Sequence, residues 1–458
     1  MNPPVRTGQV LITADAPWEK ELRVASYSTV IEEKGLIRVW YNIVGKKAVP
    51  RKNPDFMALA YAESRDGIHF TKPLLNLVEY EGSKANNLVL PGDPTMYAIG
   101  GGSVQPDDNP NCPPEERYKT WMKVYPKPGV TMHGPSRIWV SPDGIHWTLS
   151  GKKVTGLRAT DTQLTWFWEP RIDRYVVYGR EWVQFDGERQ IRMASYSESD
   201  DLFNWEKTQI ILAPDAKDFA SVVRPLVVLD KMYVERDRLK NRPTNALDRS
   251  GEETPASKEQ FADNVPPPGA PVDIYGPGVM RYREADSIYV SLAATFHHSW
   301  QERGTPTPDR PDTGDVVLAL SRDGRNFNRV GDRRPFLGVG PAGAFDSKWL
   351  WPMPGLVRRG DEIWIYYFGM NMDHSMRVDP ESPSQLAGIS RAILRLDGFI
   401  SADFDYTGGT ILTPPIKFEG SRLELNLDTG AGGLGRIEIQ DKHGAPIPGF
   451  TPCLEPIS

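Results

Sequence analysis

The feature that most constrains the fold of this chain is a seven-residue pattern, Ser-x-Asp-x-x-x-aromatic. It occurs four times, as SRDGIHF (64–70), SPDGIHW (141–147), SDDLFNW (199–205) and SRDGRNF (321–327). Ordinary residue usage predicts about 0.2 chance matches in a chain of this length, so the pattern marks an internal repeat. Asp and Gly favour tight turns, and an Asp carboxylate accepts hydrogen bonds from its own loop. The repeat therefore predicts a structural turn, whose aspartates we do not expect to be catalytic.

Strand-like segments accompany each turn. An apolar strand comes directly before the turn, as in MALAYAES and VVLALS, and an aromatic-rich strand precedes that one, as in GLIRVWYNI, DRYVVYGREW and DEIWIYYFGM. Five segments of the second kind occur, and helical periodicity is almost absent. Five four-stranded sheets arranged around an axis form a propeller. We therefore predict an all-β fold, a five-bladed β-propeller.

Two regions depart from the repeat. Residues 235–272 are charged and rich in proline, which predicts a long exposed loop inserted in the propeller. After residue 407, short strand-like segments such as SRLELNLDTG and GRIEIQD follow without the repeated turn. We predict a propeller over 1–407 and a small C-terminal β-sandwich-like module over 408–458, either truncated or completed by strands supplied elsewhere.

Charge and hydropathy restrict the partners. The formal net charge is −6 and no stripe of Lys and Arg occurs, which argues against nucleic-acid and anionic-membrane partners. No stretch approaches the roughly 18 apolar residues of a membrane span. Only Cys112 and Cys453 are present, so a disulfide framework is excluded. The N-terminus lacks a leader pattern, so the default expectation is cytoplasmic, or secreted or periplasmic if a leader was removed. The sequence predicts no oligomeric state.

Strand direction separates pocket residues from turn residues. In a four-stranded blade the start of the innermost strand and the end of the second strand share one face, and the repeated turns share the other. Innermost strands begin near Asp161, Asp273 and Asp346, which gives three blades a carboxylate at equivalent positions. Converging carboxylates suit acid–base catalysis. Alternatively, they cap strand ends or bind a central structural cation such as calcium, because burying several like charges near one axis is costly unless a metal, proton or substrate compensates them.

Other polar and aromatic residues are predicted on the same face and are assigned to substrate binding. Arginine offers a fork of donors, and aromatic rings pack against sugar CH groups, although core packing is an alternative explanation for each ring. No His-x-His pair or Cys cluster supports zinc, so we predict no metal ligands and no required cofactor. The predicted substrate-binding residues are Glu19, Arg180, Glu181, Tyr275, His297, His298, Trp349 and His374.

The region 20–405 resembles the five-bladed propeller glycoside hydrolases of families 32, 43, 62 and 68, which include invertases and arabinanases. The resemblance rests on the blade pattern, on YAESRDGIHF and WVSPDGIHW, and on the trailing module, and DTQLTWFWEPRIDRYVVYGR is similar to bacterial family-32-like proteins. Two departures stand out. The family 32 motif Trp-Met-Asn-Asp-Pro-Asn is missing, and Tyr275-Gly276-Pro277 stands where family 43 has Glu-Gly-Pro.

Together these observations predict a glycoside hydrolase that cleaves a furanoside or related glycan from an oligosaccharide or polysaccharide. Asp161, Asp273 and Asp346 would supply acid, base or nucleophile, and an orienting charge, with the three roles left undivided. One alternative is a non-catalytic carbohydrate-binding propeller. Another is a glycosyl transferase or phosphorylase, for which Arg180 and His298 would form a phosphate or acceptor subsite.

Overall fold

The structure is a computed structural model, and it describes most of the chain. The described residues are 1–45, 56–90, 98–100, 102–125, 136–157, 162–183, 191–215, 217–218, 272–297, 312–374, 376, 378–379, 381–382, 384–417, 419–430 and 432–450. Asp161, His298 and Cys453 lie outside the described residues, as does the predicted 235–272 loop except its last residue.

The strands form five blades, which confirms the predicted all-β five-bladed propeller. The N-terminal strand β1 (Val5–Arg6) belongs to the last blade. Blade 1 contains β2 (Leu22–Glu33), β3 (Leu36–Gly45), β4 (Met57–Ser64) and β5 (Leu88–Leu90). Blade 2 contains β6 (Ala98–Gly100), β7 (Val104–Pro106), β8 (Tyr118–Tyr125), β9 (Ser136–Ser141) and β10 (Thr148–Leu149).

The remaining blades follow the same order. Blade 3 contains β11 (Thr165–Glu169), β12 (Arg174–Val183), β13 (Ile191–Ser199) and β14 (Gln209–Leu212). Blade 4 contains β15 (Val272–Gly276), β16 (Val279–Arg281), β17 (Tyr289–His297), β18 (Val316–Ser321) and β19 (Asn328–Arg329). Blade 5 contains β20 (Trp349–Arg359), β21 (Glu362–Met370) and β22 (Ala387–Arg395), with β1 as its fourth strand. Neighbouring strands within a blade are antiparallel, and a single parallel pair, Met57 with Ala98, links blades 1 and 2.

Within the described residues helical segments are short, and Lys217 and Asp218 form one of them. Two 3-10 helices, Pro17–Glu19 and Pro114–Glu116, precede β2 and β8. Within the described ranges, no helix has the length and apolar character needed to span a lipid bilayer.

The two ends of the propeller sequence close the ring by sharing blade 5. Val5 pairs with Ile393 and Arg6 with Ala392, so β1 adds an outer edge strand to the three strands contributed by the end of the repeat region. The N-terminal segment continues along β22, where the Leu11 amide donates to the Ile389 carbonyl. A two-residue strand is too short to leave a periodic sequence signal, so this closure was not predicted.

The repeated pattern forms the predicted structural turn. In the second copy, one carboxylate oxygen of Asp143 accepts hydrogen bonds from the Ile145 amide (2.8 Å), the His146 amide (2.9 Å) and the Ser141 hydroxyl (3.0 Å). Partial burial opposes ionisation, but these hydrogen bonds outweigh it and lower the pKa of Asp143 to about 2. The residue after each Asp is left-handed, and the four residues are Gly67 (φ 73°), Gly144 (φ 77°), Leu202 (φ 69°) and Gly324 (φ 76°). Glycine suits three of these positions because it adopts positive φ without a steric penalty.

Three of these turns also join neighbouring blades. In each, the carbonyl of the left-handed glycine accepts a hydrogen bond from an aromatic side chain on the second strand of the preceding blade. The pairs are Tyr366 with Gly67 (2.8 Å), Trp40 with Gly144 (2.7 Å) and Tyr178 with Gly324 (3.0 Å). A side chain at Gly144 would also place its Cβ 2.6 Å from the Trp40 ring. The repeat therefore acts as an interblade contact as well as a turn.

Gln163 joins four blades close to the axis. Its side-chain nitrogen donates to the carbonyls of Ser28 (3.0 Å) and Gly102 (3.2 Å), and its oxygen accepts from the Trp351 indole (2.9 Å). These partners come from blades 1, 2 and 5, while Gln163 precedes β11 of blade 3. Blade 4 is linked by its neighbour Thr162, whose hydroxyl donates to the Tyr275 carbonyl (3.3 Å).

The chain divides into two compact units. The first comprises Met1 and Pro3–Leu396, and the second comprises Asn2 and Asp397–Ser458. Within the described part of the second unit the only β pairing is an isolated bridge between Gln440 and Pro446, and most side chains are exposed. The predicted boundary at residue 407 and the β-sandwich-like module over 408–458 stay predictions.

Removing one hydroxyl tests the interblade contacts. We expect Tyr178→Phe to lower the free energy of unfolding by about 1 kcal/mol, because it leaves the buried Gly324 carbonyl without its donor. Tyr366→Phe should lower it less, because Arg391 also donates to the Gly67 carbonyl (3.4 Å). Urea denaturation measures this change. Tyr406→Phe is the matched control, since Tyr406 is fully exposed. Equal stability of all three variants would contradict the interblade role.

Candidate active site

Strand register confirms that pocket and turn residues lie on opposite faces. Val272 at the start of β15 pairs with His297 at the end of β17, whereas Tyr289 at the start of β17 pairs with Ser321, where the repeated turn begins. We call the face that carries Val272 and His297 the pocket face, and the face that carries Ser321 the turn face. The other blades have the same register, so the ends of β3, β12 and β21 also lie on the pocket face.

Irregular inner strands present two tyrosines at the pocket face. In β2 the ladder breaks between Ala25 and Thr29, and Tyr27 within the break has a φ of 74°. Asn42 holds this bulge, because its side-chain amide donates to the carbonyls of Ser26 (3.0 Å) and Tyr27 (3.1 Å). A second irregularity in β15 lies between Ile274 and Gly276, at Tyr275. Bulges re-aim side chains in this way near functional sites.

Aromatic rings enclose the Tyr275 ring, which is 7% exposed. Edge-on contacts join it to Trp351 (5.2 Å between ring centroids), Trp349 (5.8 Å) and Phe296 (5.8 Å). A Cβ on Gly276 would lie 2.6 Å from the Trp351 ring, so glycine is needed for this close approach. The result is a rigid apolar wall around a phenol.

Charged and polar groups surround the Tyr275 hydroxyl. It forms hydrogen bonds with Tyr27, Arg180 and, at 3.2 Å, His374 Nε2. The guanidinium carbons of Arg180 and Arg192 lie 4.8 and 4.9 Å from the centre of the Tyr275 ring. Burial alone would raise the pKa of Tyr275, but the two positive charges and these hydrogen bonds outweigh it, so the pKa lies below its ordinary value.

The pKa values of Tyr27 and Arg180 shift the other way, toward the uncharged form of each group. Burial and the neighbouring Tyr275 raise the pKa of Tyr27 well above its ordinary value. Burial lowers the pKa of Arg180, which is 1% exposed. Arg192 forms an ion pair with Asp273, with 2.5 Å between the two groups, and its guanidinium carbon lies 4.2 Å from the centre of the Trp182 ring. Of the two tyrosines, Tyr275 is therefore the one that ionises first.

A contact between a histidine and a carboxylate lies at the end of β17. His297 Nε2 is 3.1 Å from a carboxylate oxygen of Asp315, which also accepts a hydrogen bond from the Thr295 hydroxyl. Because His297 pairs with Val272 at the start of β15, this pair lies on the pocket face.

A cavity of about 230 Å³ lies on the pocket face between blades 1 and 5. Its lining includes Arg23 of β2, Met372 and Gln385, and burial lowers the pKa of Arg23 to about 10. One of these lining residues, Met372, is two residues before His374 in the sequence.

The structure brings together five of the predicted site residues. Asp273 meets the cluster through Arg192, and the other four contact one another directly. These four are Arg180, Tyr275, Trp349 and His374. Glu181 follows Arg180 on β12 and is 3% exposed. His297 contributes the separate pair with Asp315.

Asp346 and Glu19 have other surroundings. Asp346 accepts hydrogen bonds from Arg6 (3.0 Å) of the closing strand and from the Tyr367 hydroxyl (2.9 Å). Glu19 accepts from Lys72 (2.6 Å), the Ala16 amide (2.8 Å) and the Tyr41 hydroxyl (3.3 Å). These contacts fit structural carboxylates, since none reaches the Tyr275 cluster.

Sequence reasoning missed three members of the site, Tyr27, Arg192 and Asp315. Arg192 left a signal, because it is the single charged residue of the strand IRMASYS. Tyr27 left none, since its position depends on the bulge in β2. Among the described side chains, no group of three or more His, Cys, Asp or Glu residues could hold a metal ion. The central cation stays a prediction that includes Asp161, outside the described residues.

Comparisons with known proteins find similar structures only. No protein-family model and no curated protein matches the sequence. A solved glycoside hydrolase is 11% identical with a TM-score of 0.49, covering 88% of this chain and 96% of that chain. A β-1,2-mannobiose phosphorylase from Listeria innocua is 13% identical with a TM-score of 0.48, covering 87% and 98%. An N-acetylgalactosamine deacetylase from F. plautii is 16% identical with a TM-score of 0.45, covering 87% and 96%. At these identities and TM-scores, the likenesses assign no activity to this chain.

A double-mutant cycle tests the Arg192–Asp273 ion pair. We expect Arg192→Met alone, or Asp273→Asn alone, to lower the free energy of unfolding by about 3–5 kcal/mol, because each leaves an uncompensated buried group. The double variant should lose clearly less than the sum of the two single losses. Additive losses in urea denaturation would show that the two side chains do not interact.

Proposed function

We propose that the protein is a glycoside hydrolase that cleaves a furanoside or related glycan on the pocket face, with an oligosaccharide or polysaccharide as substrate. The observation that carries this proposal is the buried cluster on the pocket face in which Asp273 and Tyr275 of the innermost strand β15 meet Arg180 of β12 and Arg192 of β13. Burying several charges is costly unless they are paired or used. Such clusters in a concave site are candidates for catalysis.

Aromatic and polar groups there suit a carbohydrate. Sugar rings present CH groups that pack against aromatic faces, and Trp349 and Trp351 lie beside Tyr275. Sugar hydroxyls need donors and acceptors in fixed positions, and we assign this role to Arg180, Glu181, His297 and His374. Tyr275 and Trp349 would form the wall of the binding site.

Among the predicted catalytic carboxylates, the contacts favour Asp273. It lies beside Arg192, which also contacts the aromatic wall through Phe296. Asp161 remains part of the proposal, since its chain neighbour Thr162 donates to the Tyr275 carbonyl. Asp346 is the weakest candidate because its oxygens contact Arg6 and Tyr367. The proposed reaction uses side chains and water, so it invokes no cofactor.

Phosphorolysis is the second candidate reaction. Two arginines near one phenol would attract an anion, and a phosphate ion in that position could replace water as the attacking group. The two reactions differ in their products, because phosphorolysis releases a sugar phosphate only when phosphate is added. A phosphate-dependent product would therefore favour this second candidate over hydrolysis.

Turnover of defined glycans tests the proposal. The panel consists of fructofuranosyl and arabinofuranosyl oligosaccharides, with β-mannosides as pyranoside comparators, each with and without phosphate. We expect Asp273→Asn to lower kcat/KM by about 100- to 10,000-fold, because it removes the carboxylate used in acid–base catalysis. Chromatography of released sugars measures the rate.

Matched variants separate catalysis from folding. Asp286→Asn, on an exposed turn of blade 4, should keep wild-type kcat/KM, and circular dichroism checks that each variant is folded. Full activity of a folded Asp273→Asn would contradict its catalytic role. Tight glycan binding without turnover by the wild-type protein would favour the non-catalytic binding alternative.

A further inference from the structure

Tyr275 combines four features that a structural tyrosine does not need. Its strand leaves the regular ladder at this residue, its ring is held by aromatic side chains, the guanidinium groups of Arg180 and Arg192 lie over that ring, and its hydroxyl forms hydrogen bonds with Arg180 and His374. A tyrosine that only fills space needs no cations at its oxygen, and burying two arginines there is costly. The arrangement instead stabilises negative charge on the phenol oxygen.

The hydrogen bonds around the Tyr275 hydroxyl provide donors to its oxygen and an acceptor for its proton. Arg180 can only donate, so the Tyr275 oxygen accepts from it. The ring nitrogen of His374 at 3.2 Å can accept the phenol proton when that nitrogen is unprotonated. Tyr27 also bonds to Tyr275, and it forms another hydrogen bond to Thr162. A proton on Tyr275 therefore has a route away, and the phenolate it leaves has donors around it.

We infer that the Tyr275 hydroxyl is the group that protonates the leaving oxygen when the glycosidic bond breaks. This inference rests on the proposed function and names a catalytic residue for it. Phenols are general acids in enzymes when their surroundings favour ionisation. Asp273 then supplies the second catalytic group, a carboxylate, and it is paired with Arg192, which also contacts Tyr275.

The proposed step conserves atoms and charge. The Tyr275 proton moves to the leaving oxygen while the bond between that oxygen and the anomeric carbon breaks, and the electron pair of the bond stays on the oxygen. The phenolate is held by Arg180, Arg192 and Tyr27. Water then bonds to the anomeric carbon and releases one proton, and one proton returns to Tyr275 through His374 or solvent. The net reaction is hydrolysis.

The titratable neighbours of Tyr275 come from several blades. They are Tyr27 from β2, Arg180 from β12, Arg192 from β13 and His374 after β21, while β20 contributes the uncharged Trp349 and Trp351. On its own strand, Asp273 acts through Arg192. The cations outweigh the anion at the phenol, so the alkaline limb of the pH profile should report Tyr275.

Leaving-group dependence is the decisive experiment. Tyr275→Phe keeps the ring and its packing but removes the proton. We expect it to lower kcat about 100- to 10,000-fold on an oligosaccharide, whose leaving oxygen needs protonation. It should lower kcat less than about 10-fold on the dinitrophenyl glycoside of the same sugar, whose leaving group departs as a stable anion. A structural role would lower both rates alike.

Spectroscopic titration gives a readout that does not need activity. Absorbance of tyrosinate should show one group in the wild-type protein that titrates below about pH 10, the ordinary phenol value, and Tyr275→Phe should lack it. Tyr27→Phe should move this titration and the alkaline limb of kcat/KM to higher pH, because the phenolate loses a donor. Tyr175→Phe is the control, since Tyr175 pairs with Ser199 at the turn face.

The possible failures can be told apart. No turnover of any glycan by the wild-type protein overturns the proposed function and this inference together. Undiminished turnover of the oligosaccharide by Tyr275→Phe, or equal losses on both leaving groups, overturns this inference alone. If Tyr275→Phe does not fold, an alkaline limb that is unchanged in Tyr27→Phe overturns it instead.

Discussion

The hydrogen bonds of Gln163 are the interaction on which the rest of the propeller depends. Blades that meet at an axis bring backbone carbonyls of several inner strands close together, and buried carbonyls need donors. One side-chain amide serves Ser28 and Gly102 and accepts from Trp351, so four blades share a single fixed point. Thr162 extends the same arrangement to Tyr275 on blade 4, the one remaining blade. Structural and functional residues are thus adjacent in the chain at this point.

This arrangement explains why the charged cluster lies where it does. The repeated turns hold the blades together on the turn face, through glycine carbonyls and the aromatic side chains of the preceding blade. The inner strands bulge at Tyr27 and Tyr275 on the pocket face, away from these turn contacts. Backbone irregularity of this kind is concentrated where a fold binds or reacts with ligands.

The fold was predictable from the sequence because its information is repeated. Four copies of one turn and five aromatic strands specify a blade, and strand direction alone assigned Arg180, Asp273 and His297 to the correct face. The strand-start argument could not tell which way each carboxylate turns. Asp273 meets Arg192 of blade 3, whereas Asp346 meets Arg6 of the closing strand, and that strand was too short to predict.

The site was less predictable because its members depend on exceptions to the repeat. Tyr27 reaches the pocket only through a three-residue bulge that Asn42 holds in place, and no residue pattern announces such a bulge. Tyr275 was predicted as a substrate-binding residue, but its contact with Arg192, which comes from another blade, was not predicted. Contacts between residues of two blades cannot be inferred from the residue spacing within a single strand.

The proposed function requires that glycan binds on the pocket face beside Tyr275. Glycan binding can be followed by the indole signals in ¹H–¹⁵N correlation spectra of Asp273→Asn. The variant is titrated with the arabinofuranosyl and fructofuranosyl oligosaccharides, and the signals are assigned by Trp→Phe substitution. The account predicts that the Trp349 and Trp351 signals shift with added oligosaccharide while those of Trp147 and Trp205, in the repeated turns, stay in place. Shifts confined to Trp147 and Trp205 would contradict it.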